Sequence, residues 1–98
     1  MVLHTFKNNP SAWVYAIMST VDWIGGRRVV IYSNDHRPGH VHVIGSCEAV
    51  FELNCPEGPP ELRENYGCPA NELSKIKTAL AERIAHLCAE WSRIHELP

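Results

Sequence analysis

Ninety-eight residues, 45% hydrophobic and 20% charged, suit one globular domain, since a chain of this size buries roughly 60–68% of its unfolded surface in a single core. Eleven acids against nine Lys and Arg leave a net charge of −2, which excludes a globally basic nucleic-acid binder; RNA or DNA would need a local patch. No apolar run approaches the roughly 20 residues that cross a bilayer, and the N-terminus lacks the basic and apolar regions of a signal peptide. A cytoplasmic location without membrane association is therefore expected. Cys47, Cys55, Cys68 and Cys88 show no C-x-x-C spacing and are expected to be reduced, partly buried thiols that behave as small hydrophobes.

Residues 1–18 read as an N-terminal extension. Asn8-Asn9-Pro10 has turn chemistry, and Trp13 to Ile17 fits a short strand or a helical turn equally well. The domain proper is expected over residues 19–98. Val21 and Trp23, then Gly25-Gly26, then Val29 to Tyr32 describe two β-rich runs about a tight turn, the pattern of a hairpin. A loop from Ser33 to Gly39 leads to His40–Ile44, and Gly45-Ser46 leads to Cys47–Leu53. There Ala49, Phe51 and Leu53 alternate with Glu48, Val50 and Glu52, as in a sheet with one buried face.

Pro56, Gly58, Pro59 and Pro60 make the next segment a connecting loop. Glu61 to Tyr66 reads as one helical turn ended by Gly67. Leu73, Ile76, Leu80, Ile84, Leu87, Trp91 and Ile94 then recur at intervals of three and four, the stripe of one amphipathic helix. Such a helix would be on the order of 35–39 Å long. Pro69 suits its first turn, and Glu72 faces the positive end of its dipole. The expected fold is α+β: an antiparallel meander of three to four strands packed on one long C-terminal helix. Trp91 and Ile94 would either overhang the sheet as a partner or self-association surface, or cover Trp13 and Tyr15.

The stretch Asn34-Asp35-His36-Arg37-Pro38-Gly39-His40-Val41-His42-Val43 carries three of the six histidines. Strand alternation puts His40 and His42 on one face, roughly 6–7 Å apart, with Val41 and Val43 turned to the core. Three uses of the imidazoles compete. His40 and His42 with His36 or Asp35 could ligate a transition metal, but no established zinc spacing is present and no metal or other cofactor is expected. One imidazole could act as general acid or base on RNA, with Arg27, Arg28 or Arg37 gripping phosphate. The third use, set first, is a satisfied turn or polar contact on an exposed sheet face. His86 and His95 read as solvated helix positions. Exposed hairpin ends are the simpler account of Arg27 and Arg28, and the acids Asp35, Glu48, Glu61 and Glu64 are too scattered for a catalytic carboxylate pair.

The run Tyr32-Ser33-Asn34-Asp35-His36 with His40-Val41-His42-Val43, followed by Glu48-Ala49-Val50-Phe51, Gly67 and Glu72-Leu73, resembles the small bacterial domain-of-unknown-function family numbered 4160 over about Ser19 to His95. Members commonly begin near the position of Met18 and often carry Ser where Pro69 stands, so the helix here lacks that side-chain cap. The resemblance implies small genes of mobile elements and toxin-antitoxin-like pairs, often beside a second small domain, the family numbered 2442. By fold analogy it is also similar to small RNA-cleaving toxins with a double-stranded-RNA-binding-like fold. The motif positions carried over are Asp35, His36, His40 and His42, with no assigned role.

The expected function is that of a small prokaryotic or phage accessory protein acting by protein–protein interaction in a toxin-antitoxin or defence-related setting, with a neighbouring small protein or a second copy as partner. Asp35, His36, Arg37, Arg27, Arg28, Trp91 and Ile94 are the candidate binding residues. The alternatives are a ribonuclease-like toxin with His40 and His42 as catalytic residues, and a metal-binding module.

Overall fold

The computed structural model describes residues 2–5 and 15–95. Six strands form one antiparallel meander in sequence order: β1 (Val2–Thr5), β2 (Tyr15–Ile24), β3 (Arg27–Tyr32), β4 (His40–Ile44), β5 (Glu48–Glu52) and β6 (Glu61–Tyr66). Two helices follow, α1 (Ala70–Ala81) and α2 (Ile84–His95). The α+β class and the meander agree with the sequence reading, and β2 to β5 are the strands expected from it. The turn at Asn8–Pro10 and the side chain of Trp13 lie outside the described residues.

Strand β2 extends back through the region where strand and helical turn were equally plausible, and β1 pairs with it from Val2↔Met18 to Thr5↔Tyr15. Gly25 has φ +60° between the paired residues Ile24 and Arg27, a conformation that favours glycine in a two-residue hairpin turn. A register shift between Thr20 and Asp22 makes Val21 a bulge. His86 bonds the Val21 carbonyl at 3.1 Å, and Arg83 donates to the Trp23 carbonyl at 3.1 Å. These bonds tie the start of α2 to the bulged strand, so His86, read as solvated, has a carbonyl partner although it stays half exposed.

Two expectations about elements are corrected. Glu61 to Tyr66 is a strand, not a helical turn: it pairs with β5 from Glu48↔Tyr66 to Glu52↔Glu61. Six helix-tolerant residues cannot repay helix nucleation alone, whereas the edge of β5 offers a full ladder. The single long helix is broken at Glu82-Arg83, where the Arg83 N–H bonds the Leu80 carbonyl at 3.0 Å in a tightened turn. The apolar stripe runs straight through the break, which is why periodicity does not reveal it: Ile76, Leu80, Leu87 and Trp91 all pack on the same core.

That core sits between one sheet face and both helices. Val29, Ile31, Val41, Val43, Phe51 and Leu53 meet the helix stripe and are fully or almost fully buried. Each such side chain contributes about 1.5–3 kcal/mol by burial.

The cysteines also depart from expectation. Cys47 is bonded to Cys68 and Cys55 to Cys88, so none of the four is a free thiol. The fold brings their Cα atoms to 5.1 and 5.8 Å, within reach of a disulfide, a proximity that sequence spacing alone does not encode. Disulfides persist in oxidising compartments and fit poorly with a cytoplasmic location. No helix among the described residues is long and apolar enough to cross a membrane.

Candidate metal centre

Val41 and Val43 point into the core, so His40 and His42 share the opposite face of β4. That face is not open at this end of the sheet. The Ser33–Gly39 loop folds back over it, with the Asp35 N–H bonding the Tyr32 carbonyl and the Asp35 carboxylate accepting from the Tyr32 N–H at 3.1 Å. The side chains of His40, Asp35 and His42 are only 7%, 15% and 18% exposed, which corrects the expectation of an exposed histidine pair.

Three donor atoms converge there. Oδ2 of Asp35 lies 3.4 Å from Nε2 of His40 and 3.4 Å from Nε2 of His42, and one ligand atom from each residue lies within 4.8 Å of the others. The rings are held from behind. Nδ1 of His40 is 2.9 Å from the Pro38 carbonyl, an acceptor only, so Nδ1 carries the hydrogen and neutral His40 turns a lone pair toward Asp35. Nδ1 of His42 faces Oε2 of Glu48 at 3.8 Å. Tyr32 meets the His42 ring edge-on at 4.8 Å, and Trp91 tilts against His40 at 5.3 Å. Both ring nitrogens of His42 are buried and neither makes a well-formed hydrogen bond among the described residues: Nε2 faces the Asp35 carboxylate at 3.4 Å and Nδ1 the Glu48 carboxylate at 3.8 Å. Buried polar atoms so loosely served require a reason.

The electrostatics are those of a carboxylate set among imidazoles. Burial pushes the Asp35 carboxyl up, but the His42 imidazole, the Tyr32 N–H and the positive charge that His40 and His42 can carry outweigh it and hold Asp35 below the ordinary carboxylate range. Burial, with the negative charges of Glu48 and Asp35, pushes the Tyr32 phenol above its usual range.

The other expected site residues lie apart from this cluster. His36 is exposed and is not among the converging ligands. Arg27 and Arg28 leave β3 on opposite faces: Arg27 pairs with Glu72 at 3.2 Å, and Arg28 donates to the Thr20 hydroxyl at 2.9 and 3.2 Å. Arg37 lines a cleft with Pro38, Gly39, Asn54, Cys55, Trp91 and Ser92. Trp91 is buried rather than overhanging, and its ring lies 3.4 Å from where a Cβ on Gly39 would stand, an ordinary van der Waals contact. His95 stacks on Trp91 at 3.8 Å with Nδ1 3.0 Å from the Trp91 carbonyl, so it is not simply solvated. Ile94 packs half-buried against the core.

Glu48 was passed over as one of several scattered acids. The register held a signal for it, because the Gly45-Ser46 turn sets Glu48 opposite Ile44, diagonal to His42 on the same face.

The structure thus defines an α+β domain with a cluster of two histidines and one aspartate at the mouth of its central hairpin. Residues 26–92 match the domain of unknown function DUF4160, and the chain belongs to that family. No curated protein and no solved structure matches it.

Proposed function

We propose that this domain is a metal-binding module that holds zinc, or a similar divalent transition ion, between Nε2 of His40, Nε2 of His42 and a carboxylate oxygen of Asp35. The observation that carries the reading is the pair of 3.4 Å separations from Oδ2 of Asp35 to two largely buried imidazoles, of which His42 makes no well-formed hydrogen bond. Ligands about 2.0–2.1 Å from a tetrahedral ion are separated by about 3.3–3.4 Å, whereas octahedral neighbours at that bond length are about 3.0 Å apart. Metal-bound imidazoles characteristically donate their second nitrogen to a carbonyl or carboxylate. The Pro38 carbonyl takes that place for His40, and the Glu48 carboxylate stands behind Nδ1 of His42 at 3.8 Å, beyond hydrogen-bond distance. Three protein ligands leave a fourth position for water or for a donor from a partner.

Isothermal titration of the chelator-treated protein with zinc chloride tests this. One-to-one binding that disappears in His42→Ala and in Asp35→Ala supports the site, and unchanged binding in those variants removes it. General acid–base work on RNA draws less support, because His40 is buried and Arg27 and Arg28 are engaged elsewhere.

Partner binding retains one observation of its own: β6 is exposed along all six residues at the free edge of the sheet, with Leu62 and Tyr66 uncovered. A partner strand there predicts slowed hydrogen exchange of β6 amides in the complex, and unchanged exchange rejects it.

A further inference from the structure

A second three-donor cluster joins Cys47, Cys68 and Glu72 on the helix side of the sheet. Cys47 closes the β4–β5 turn, Cys68 stands two residues before α1, and Glu72 belongs to the first turn of α1. The two sulfurs are bonded to each other, yet Sγ of Cys47 lies 2.8 Å from Oε2 of Glu72. A disulfide sulfur carries no proton, so two electron-rich atoms face each other with nothing between them. Reduction supplies the missing hydrogen: a Cys47 thiol donates to Oε2, a bond strengthened by the acceptor's charge. Arg27 holds the other oxygen, Oε1, at 3.2 Å and keeps the carboxylate in place.

The partner sulfur is served as well. Cys68 stands one residue before Pro69, which caps the N-terminus of α1, and the positive end of the helix dipole there favours a thiolate against the opposing effect of its burial in the core. Asn65 fixes its backbone, accepting from the Cys68 N–H at 2.9 Å and donating to the Cys68 carbonyl at 3.0 Å. The other disulfide differs. Cys88 lies one turn inside α2 and Cys55 follows β5, so neither sulfur leaves from a helix N-terminus.

We propose that Cys47–Cys68 is a thiol–disulfide exchange site whose co-reactant is a dithiol, and that Cys55–Cys88 is a structural cross-link. A thiolate of the dithiol attacks Sγ of Cys47, the less buried residue of the pair, and the S–S bond breaks with Cys68 leaving as thiolate. The second thiolate of the dithiol then attacks its own sulfur in the mixed disulfide. That closes the oxidised dithiol and expels Cys47, which takes up a proton and, as a thiol, hydrogen-bonds to Oε2 of Glu72. Two electrons pass from dithiol to protein, one of the dithiol's two protons ends on Cys47, and the other goes to solvent. The inference stands independently of the metal centre.

The test equilibrates the intact protein in graded mixtures of oxidised and reduced dithiothreitol, quenches with acid, alkylates, and reads each cysteine by mass spectrometry. Cys47 and Cys68 are expected to open at a reduced-to-oxidised ratio at least about tenfold lower than Cys55 and Cys88. Glu72→Ala should move the Cys47–Cys68 curve about tenfold toward more reducing mixtures, a shift of about 30 mV for a two-electron couple, and leave the other curve in place. Glu72→Gln, which keeps an acceptor without the charge, should move it less. Coincident curves for the two disulfides in the unmodified protein overturn the proposal, whether or not the variants fold. So does a Glu72→Ala curve that stays in place.

Discussion

The two donor clusters flank the same β4–β5 hairpin and treat their buried donors in opposite ways. On the outer face Asp35, His40 and His42 converge without a well-formed hydrogen bond to His42; on the helix face Cys47 and Cys68 satisfy each other by a covalent bond beside Glu72. The difference follows from chemistry available to the side chains. Two thiols can close on themselves by losing electrons, whereas two imidazoles and a carboxylate can be satisfied together only by a shared cation, whether a proton or a metal ion. Under the two proposals the first cluster is completed from outside and the second is opened.

The largest effect that separates them is loss of one metal ligand. His42→Ala is expected to weaken zinc binding by about a thousandfold or more, about 4 kcal/mol, while the folded protein without metal loses only the modest contribution that the imidazole makes beside Asp35. A titration paired with a thermal melt in chelator checks both halves; a large loss of stability without metal would instead make His42 a packing residue. On the other side of the hairpin, closing separations of 21 and 33 residues is worth about 3.3 and about 3.7 kcal/mol in the chain-entropy account. Removing Cys55–Cys88 by paired serine substitution should approach its figure in urea unfolding. Removing Cys47–Cys68 should fall short of its own, since the contact of Cys47 with Glu72 is relieved at the same time.

A smaller effect probes the outer support of the ion. Glu48→Gln keeps the size of the side chain but weakens the acceptor behind His42, and a change in such a group typically lowers metal affinity by about 10- to 100-fold. Unchanged zinc affinity in Glu48→Gln would confine the site to its three direct ligands.

How much of this was legible depends on which interactions make each part. The meander was readable because Gly25-Gly26, the alternation of Ala49, Phe51 and Leu53, and the proline-rich loop are local signals. Strand parity placed His40 and His42 together correctly. Their burial was not readable, because it comes from Asp35 folding back through its bonds to Tyr32 and from Trp91 arriving from α2, some fifty positions along the chain. Zinc spacing motifs give no guide to this cluster for the same reason: one donor comes from a loop and two from alternate strand positions, so no helical i, i+3 or i, i+4 pattern arises. β6 was misread because its residues tolerate a helix and only β5 makes them a strand. The disulfides were misread because the cysteines meet across elements far apart in sequence.

The smallest effect concerns what holds the Asp35 cluster together before any ion binds. Asp35 is held below the ordinary carboxylate value of about 3.9, so its charged form is favoured by folding. The sign follows directly. A depressed folded-state value contributes stability that is fully present above the unfolded value and is lost as pH falls through the folded one. Asp35→Asn, which keeps the shape but removes the charge, should therefore cost about 1 kcal/mol near pH 7 in the presence of chelator, and that difference should shrink below about pH 4. Urea unfolding of both proteins at pH 7 and pH 3 measures it. Equal stabilities at pH 7 would mean that the carboxylate gains nothing from its imidazole neighbours in the absence of metal, and that the two 3.4 Å approaches serve the bound ion alone.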